Sequence, residues 1–276
     1  MSETPRVSAL IVSYNTRDLL LEAIGSVADE PSVETIVFDN ASSDGSPEAV
    51  MERFPAVHLV RSPTNLGFAA GVNRAAAGAR GEALLVLNSD ARLLPGALDQ
   101  LTSLLDHTPR AALVSPSLRY PDGRPQAAAF RFPGLAQIVL DLYPVPRLTD
   151  TPLNGRIHSH VPAPIDHPLG ACMLIRHAAW RDVGPFDEGY FMYLEEVDWC
   201  RRARARGWQI WQQPAALAIH HGGSSTRQHA EAMFAQLWRS RLRYYARYHG
   251  PLYNRVVHLL VRRRLPRGHP VRDLAS

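Results

Sequence analysis

Three short apolar runs in the first third of the chain each lead into a group of polar residues. The runs and the residues after them are 8–12 with Ser13-Tyr14-Asn15, 35–38 with Asp39-Asn40, and 83–87 with Asn88-Ser89-Asp90. Short runs rich in Val, Ile and Leu are typical of strands buried on both faces of a parallel sheet. Open α/β sheets bind ligands at the carboxyl ends of their strands. We therefore predict a polar ligand site at that edge, with Asp90 suited to a divalent cation that bridges phosphates.

The first 115 residues or so alternate strand-like and helix-like runs, which indicates repeated βαβ units and an α/β fold. We predict helices over about 18–28, 47–54, 65–79 and 96–106, and further strands at 57–60 and 111–115. Residues from about 118 to 168 are rich in proline and predict irregular structure with one helix near 134–143. After them we predict a strand at 170–175, helices at 178–183 and 195–206, and two short strands at 209–212 and 217–220.

The composition narrows the class of protein. A chain of 276 residues with 46% hydrophobic and 20% charged residues can bury a full core. Its apolar runs are all shorter than the roughly 20 residues of a membrane-spanning helix. The first strand follows so closely on Met1 that we expect no signal peptide. Only Cys172 and Cys200 are present, so we expect neither a disulfide framework nor a cysteine zinc site, and a cytoplasmic location.

The end of the chain is basic and amphipathic. Eleven of the thirty arginines follow Thr226, against only Glu231 and Asp273, and they alternate with apolar residues. This pattern is typical of contact with an anionic membrane surface. It is equally typical of a solvated helix pair that packs its apolar stripe on the domain. We find no nucleic-acid recognition motif and expect no nucleic-acid partner.

Two further groups of residues are candidates for chemistry. Glu195, Glu196 and Asp198 begin a predicted helix, where carboxylates are favoured by the dipole but where one of them is also placed to act as a general base. On helix geometry Glu195 and Asp198 share a face while Glu196 points about 100° away, so at least one is structural. His220 ends a strand before a glycine-rich turn, and we predict it as a second metal ligand beside Asp90.

Taken together, the motifs resemble the inverting family 2 glycosyltransferases of GT-A fold, and among them the bacterial rhamnosyltransferase-type branch. The likeness covers about residues 6–226. Its motifs are Ser13-Tyr14-Asn15, Asp39-Asn40 with Asp44, Asn65-Leu66-Gly67 through Asn73, Asn88-Ser89-Asp90, Gly170–Ile175, Glu195-Glu196-Val197-Asp198-Trp199-Cys200 and His220-His221-Gly222-Gly223-Ser224.

The resemblance implies a Rossmann-like mixed, mainly parallel sheet flanked by helices. It implies a catalytic domain over 1–226, with a nucleotide-sugar half at about 1–115 and an acceptor half at about 116–226. The basic, amphipathic helical extension would be 227–276. It implies Mg²⁺ or Mn²⁺ held by Asp90 and His220. It assigns donor binding to Ser13, Tyr14, Asn15, Asp39, Asn40, Asp44, Asn65, Gly67, Asn73, Asn88, Ser89 and Asp90.

Two positions depart from the family pattern. Glu196 stands where the family carries its catalytic Asp, and its extra methylene implies either a base with shifted geometry or a weaker activity. Asn88 stands where a two-carboxylate version has Asp, which implies a looser dependence on metal.

The function that the resemblance implies is transfer of a hexose to a hydroxyl of a glycan or lipid-linked acceptor, with inversion, in cell-surface polysaccharide assembly. The donor would be nucleotide-linked through dTDP or UDP, with dTDP-L-rhamnose preferred and galactofuranose, N-acetylglucosamine and mannose donors open. An inactive donor-binding scaffold at the inner face of the cell membrane is an alternative. A nucleotidyltransferase would need a basic, glycine-rich triphosphate loop, and Ser13-Tyr14-Asn15-Thr16-Arg17 is not one.

Overall fold

The computed structural model of the chain describes residues 4–222, 230–265 and 271. Its strands are β1 (Val7–Ser13), β2 (Val33–Asp39), β3 (His58–Arg61), β4 (Ala83–Asn88), β5 (Ala91–Leu93), β6 (Ala111–Arg119), β7 (Pro125–Gln126), β8 (Ala129–Phe130), β9 (Ala163–Ile165), β10 (His167–Pro168), β11 (Cys172–Arg176) and β12 (Gln209–His220). Its helices are α1 (Arg17–Gly25), α2 (Ser46–Arg53), α3 (Phe68–Ala76), α4 (Ala97–His107), α5 (Leu135–Leu142), α6 (His177–Val183), α7 (Glu195–Ala205), α8 (Ala230–Tyr248) and α9 (Pro251–Arg264).

The main sheet has the order β3-β2-β1-β4-β11-β6-β12-β5. Strands β3, β2, β1 and β4 are parallel to one another, and β12 is parallel to β6. Strand β11 runs antiparallel between β4 and β6, and β5 runs antiparallel to β12. The predicted α/β class with a mixed, mainly parallel sheet is confirmed.

Both faces of this sheet are covered, as the continuous apolar strands predict. Along β1, Ala9 and Ile11 belong to one apolar cluster with α1 and α4, while Leu10 and Val12 belong to another with α3, α6 and α7. Alternate side chains of a strand point to opposite faces, so a strand covered on both sides must be apolar throughout. The carboxyl ends of these strands are left to carry the polar residues.

A third apolar cluster joins the C-terminal helices to the domain. Trp238, Tyr244 and Tyr245 of α8 and Val257 of α9 are nearly or fully buried against Leu194 and other residues around α5 and α7. Much of the apolar stripe of the basic segment is therefore used in packing within the protein. In the part of the chain that the structure describes, none of the helices combines the length and hydrophobicity that a bilayer span needs.

The short strands β7, β8, β9 and β10 lie in the stretch that was predicted to be irregular. Two further differences from the sequence prediction bear on the site. Residues 209–220 form one strand, β12, instead of two, with a register shift against β6 between Gln213 and Leu217. Pro214 lies in this shift, and it has no N–H to donate to the neighbouring strand. The short strand β5 was not predicted. It matters for the site because it begins directly after Asp90 and pairs with the end of β12.

Candidate active site

A cavity of about 240 Å³ lies at the carboxyl ends of β1 and β4. It is lined by nine of the residues predicted for the site, Tyr14, Asn40, Asn65, Asn88, Ser89, Asp90, Glu195, Glu196 and His220. Further lining residues are Val12, Phe68, Leu169, Gly170, Ala171, Phe191, Met192, Tyr193 and Met233. Segments far apart in sequence therefore meet at one cavity, whose lining combines polar side chains with apolar and aromatic ones.

Asp90 and His220 are brought together by the pairing of two strands. His220 is paired with Ala91 in the ladder between β12 and β5, and the N–H of His221 donates to the carbonyl of Asp90. The Nε2 atom of His220 lies 3.3 Å from Oδ1 of Asp90, and both side chains are about 8% exposed. On the other side of the ring, Nδ1 of His220 lies 3.0 Å from Oε1 of Gln126.

This arrangement fits a shared cation. In the tautomer in which Nδ1 of His220 donates to the oxygen of Gln126, Nε2 has a lone pair for a cation placed between it and Asp90. The Oδ1 atom of Asn88 is buried in the same wall with no hydrogen-bond partner among the described residues. No cluster of three His, Cys, Asp or Glu side chains with metal-binding geometry occurs among those residues. A donor set of one carboxylate and one imidazole suits Mg²⁺ or Mn²⁺ when phosphate oxygens complete the shell.

Glu195 and Glu196 form the opposite wall at the start of α7. The helix follows Tyr193 and Leu194, which both have left-handed backbone with φ of 70° and 65°. Non-glycine residues keep this conformation only where their surroundings impose it. Here the hydroxyl of Ser240 on α8 donates to the carbonyl of Met192 at 2.7 Å. Glu195 and Glu196, which directly follow this turn, both line the cavity.

Burial controls the protonation of this carboxyl pair. Glu195 and Glu196 are 4% and 9% exposed, and the Oε2 atom of each has no hydrogen-bond partner among the described residues. Burial raises the pKa of Glu196 to about 7, although backbone N–H groups of the first helical turn act in the opposite direction. Burial, together with the charge of Glu196, raises the pKa of Glu195 well above its ordinary value. Near neutral pH Glu196 is thus the carboxyl that exchanges a proton.

Asp198 does not line the cavity. It is fully buried, and its Oδ2 accepts from Nε of Arg202 at 2.8 Å while its Oδ1 accepts from the hydroxyl of Tyr248 at 2.7 Å. Arg247 of α8 lies 3.2 Å from the same Oδ1 atom. Asp198 therefore connects α7, the helix that begins with Glu195 and Glu196, to α8.

Six predicted donor-binding residues lie outside the cavity lining. Asn15 and Asp44 accept hydrogen bonds from backbone N–H groups that order the turn after β2. The hydroxyl of Ser13 contacts that of Thr16, which in turn donates to Ser89 in the cavity wall. Asp39 accepts from the N–H of Ser42 through one oxygen, and its other oxygen is buried without a partner among the described residues.

Gly67 and Asn73 hold the wall that carries the aromatic residues. Asn73 exchanges two hydrogen bonds with the backbone of Phe186. Gly67 has φ of +87°, and a Cβ there would overlap the carbonyl of Phe191, which accepts from the N–H of Phe68 at 2.7 Å. Only glycine allows this close approach.

Sequence reasoning missed Gln126, Gly170 and Met233. A Cβ at Gly170 would lie 3.4 Å from Cδ of Glu196, so the glycine before β11 leaves space for that carboxyl. The position of Gly170 at the start of an apolar run could have marked it as a residue at the edge of the sheet. No sequence pattern marks Gln126 or Met233. The predicted loop 221–226 and its Gly223-Ser224 pair lie outside the described residues, apart from His221 and Gly222.

Comparisons with known proteins agree with this geometry. The family model described as "Glycosyl transferase family 2" matches residues 8–167. The N-acetylglucosaminyl-diphospho-decaprenol L-rhamnosyltransferase of Mycobacterium tuberculosis is 34% identical over 216 residues, which are 73% of this chain and 70% of that protein. The low-salt glycan biosynthesis hexosyltransferase Agl10 of Haloferax volcanii is 28% identical over 225 residues, 78% of this chain and 67% of that protein.

Among solved structures, the mannosyltransferase PcManGT from Pyrobaculum calidifontis in complex with GDP-Man and Mn²⁺ matches with a TM-score of 0.61. The match has 19% sequence identity and covers 99% of this chain and 74% of that one. This likeness, together with the sheet order, confirms the GT-A fold predicted from the sequence.

Proposed function

The chain belongs to glycosyl transferase family 2, and on this basis we propose that it moves L-rhamnose from dTDP-L-rhamnose to a hydroxyl of a lipid-linked glycan, with inversion. The choice of rhamnose and of a lipid-linked acceptor is supported by the name of the mycobacterial relative. We further propose that residues 1–115 bind the nucleotide sugar, that 116–226 bind the acceptor and that 227–276 form a basic, amphipathic helical extension.

The observation that carries this proposal is the single cavity between Asp90 and Glu196. Glu196 takes the proton of the acceptor hydroxyl, whose oxygen then forms a bond to the anomeric carbon. The bond between that carbon and the diphosphate oxygen breaks, and the nucleoside diphosphate leaves with the electron pair. A carboxyl with a pKa of about 7 is matched to proton transfer near neutral pH. The charge of Glu196 contributes to the raised pKa of Glu195, so two charges on the neighbouring carboxyl groups are unfavourable.

We propose that Asp90 and His220 hold Mg²⁺ or Mn²⁺. When bound, the ion would neutralise the charge that develops on the leaving diphosphate. Gln126 accepts from Nδ1 of His220 at 3.0 Å and so keeps Nε2 available as a ligand. The carboxylate of Asp90 supplies the negative charge of the site, and Asn88 adds a neutral oxygen.

The first test measures donor binding by calorimetry with and without Mn²⁺. We expect the intact protein to prefer a sugar nucleotide over a nucleoside triphosphate and to bind it at least about tenfold more tightly with Mn²⁺. Asp90→Asn should bind the donor with no gain from Mn²⁺. The matched control Asp99→Asn, on the exposed start of α4, should behave like the wild type. Binding of triphosphates alone, or of no nucleotide, would contradict the proposal, while the donor screen identifies the sugar.

We also propose that an exposed face of α9 contacts an anionic membrane surface. Leu252, Val256 and Leu259 are 75%, 38% and 53% exposed and follow helical spacing. Arg255 and Arg262 are exposed on the same turns. Apolar side chains bordered by arginines are typical of interfacial helices, which place the apolar groups among lipid chains and the cations at the headgroups.

Vesicle cosedimentation tests this contact. Replacing Arg255 and Arg262 by glutamine should lower the affinity for phosphatidylglycerol vesicles by about 30-fold, since each arginine near an anionic surface contributes about 1 kcal/mol. A control with the same change of charge, Arg53→Gln with Arg61→Gln, alters exposed residues of α2 and β3 and should leave binding unchanged. Equal losses in both double variants would mean a general charge effect and would exclude α9 as the contact.

A further inference from the structure

A second cavity, of about 550 Å³, lies beside the catalytic one. Its walls come from the ends of β6 and β7, from residues 150 and 156–160, and from the irregular part of β12. A volume of this size is within the range of small-molecule sites, at roughly 300–1,000 Å³. No step proposed above uses this cavity.

The irregularity of β12 provides the floor of this cavity. Pro214 and Ala215 line it, as does Leu217, and they lie where the pairing with β6 shifts register. A bulge bends its strand and leaves residues unpaired, and bulges are frequent beside active sites. The cavity is therefore built into the sheet, and is not a gap between surface loops alone.

Two guanidinium groups face this space. Arg156 lines the cavity, and its side chain is 24% exposed. Its Cζ atom lies 5.6 Å from the centroid of the Phe130 ring, and its Nε donates to the carbonyl of Thr149. Neither terminal nitrogen of Arg156 donates to a described residue. Arg119, also in the lining, is an exposed residue whose Nη1 donates to the carbonyl of Gly123.

The remaining lining groups favour an anionic, sugar-bearing ligand. Asp150 is the single carboxylate in the lining, against the two arginines, and its Oδ1 lies 3.7 Å from Nε of Arg156 and 3.3 Å from Nε2 of His158. His160 adds a further ring. Tyr120 adds an aromatic surface. The planar fork of arginine binds phosphate through paired hydrogen bonds, and an arginine held at Nε presents its terminal nitrogens at low entropic cost.

Gln126 connects this cavity to the catalytic one. It lines the second cavity, and its Oε1 lies 3.0 Å from Nδ1 of His220, which lines the first. One side chain thus separates the two spaces. A ligand that fills the second cavity as far as Gln126 would reach the residue that contacts His220 of the catalytic cavity.

We propose that the second cavity binds the phosphate or diphosphate group of the acceptor, so that the acceptor sugar reaches the donor past Gln126. This proposal rests on the proposed transferase function, and it specifies the class of acceptor. The phosphate could belong to a lipid-linked sugar diphosphate or to a soluble sugar phosphate. The donor's own diphosphate is already accounted for at Asp90 and His220.

The test compares two acceptors that carry the same sugar. One is N-acetylglucosamine joined through diphosphate to a short alkyl chain, and the other is its uncharged octyl glycoside. Arg156→Gln and Arg119→Gln should each raise KM for the diphosphate acceptor about tenfold or more, since hydrogen bonds to charged groups contribute about 1.5–3 kcal/mol. KM for the octyl glycoside and for the donor should not change, and Arg156→Lys should restore part of the affinity.

Arg124→Gln is the matched control. Arg124 lies in the same hairpin, has a 76% exposed side chain paired with Asp122 and does not line the cavity. Equal losses for both acceptors, or losses in the control variant, would contradict the inference. N-acetylglucosamine 1-phosphate as a competitor separates the two sources: strong inhibition indicates a soluble phosphate, and weak inhibition indicates that the lipid contributes.

Calorimetry measures binding of the diphosphate acceptor in the absence of donor, and it does not require turnover. Binding to the wild type that is lost in both arginine variants would support the site even if the transfer reaction fails. Binding that is unchanged in the variants would exclude it. Absence of turnover with both acceptors and every donor would instead count against the proposed function.

Discussion

Replacement of Glu196 by glutamine is expected to lower the rate of sugar transfer by about 10²–10⁴-fold, the usual contribution of a general base. Glutamine keeps the shape of the side chain but cannot take the proton of the acceptor hydroxyl. Donor binding should be unchanged, because Asp90 and His220 are intact. The measurement is steady-state transfer and donor calorimetry on the same preparations.

Glu195→Gln is the matched control for this variant. Glu195 is the neighbouring residue, lines the same cavity and is equally buried. Burial and the charge of Glu196 raise its pKa well above the ordinary value, and glutamine keeps the shape of the side chain without a titratable proton. We expect this variant to retain most of the transfer rate. If Glu195→Gln is inactive and Glu196→Gln is active, the assignment of the base is wrong.

The raised pKa of Glu196 also predicts how rate and stability depend on pH. The transfer rate should rise with pH and level off above about 7, where the base is ionised. Folding raises this pKa from 4.5 to about 7, so the folded state binds the proton more tightly than the unfolded state does. The stabilising contribution is complete below pH 4.5 and is lost as pH rises through 7. Glu196→Gln should therefore have a higher Tm than the wild type at pH 8.

The second large effect is expected on stability. Asp198→Ala should lower the free energy of unfolding by about 3–5 kcal/mol, because it removes one partner of a buried ion pair. Asp198 is fully buried, and its loss leaves Nε of Arg202 and the hydroxyl of Tyr248 without the acceptor that each has in the wild type. It also removes a contact that fixes α8, which lines the cavity through Met233. Urea denaturation measures the loss.

Asp187→Ala provides a comparison at the same interface. Asp187 pairs with Arg243 and Arg247 of α8, but its side chain is 22% exposed. Since solvent screens such pairs, we expect a loss of about 1 kcal/mol or less. If Asp198→Ala keeps full stability but loses transfer as Glu196→Gln does, Asp198 acts in the chemistry and not as a structural anchor.

Several features of this protein could be predicted from local sequence patterns. The strands that became β1, β2 and β4 could be recognised because both faces of the sheet are covered, which requires uninterrupted apolar residues. Asp90 could be singled out because it follows a recognisable strand, and Glu196 because it lies in the first turn of a recognisable helix. The order of the motifs indicated the family.

Other features depended on contacts that no local pattern records. The start of α7 was predicted, but helix periodicity placed Glu195 and Glu196 on different faces. In the structure both line the cavity, and the helix that carries them follows the left-handed turn at Tyr193 and Leu194. The strand β5 is only three residues long and carries no pattern of its own.

The sequence alone determined the order of the longer strands and helices, the burial of the sheet and the identity of the chemical groups at its edge. These follow from side-chain periodicity and from the chemistry of single residues, which are local properties. The tertiary structure alone decided that His220 faces Asp90 across the β5–β12 pairing, that Asp198 turns to α8, and that Gln126 separates two cavities. Each of these depends on residues distant in the chain, such as Gln126 and His220, 94 positions apart, which only the folded packing brings into contact.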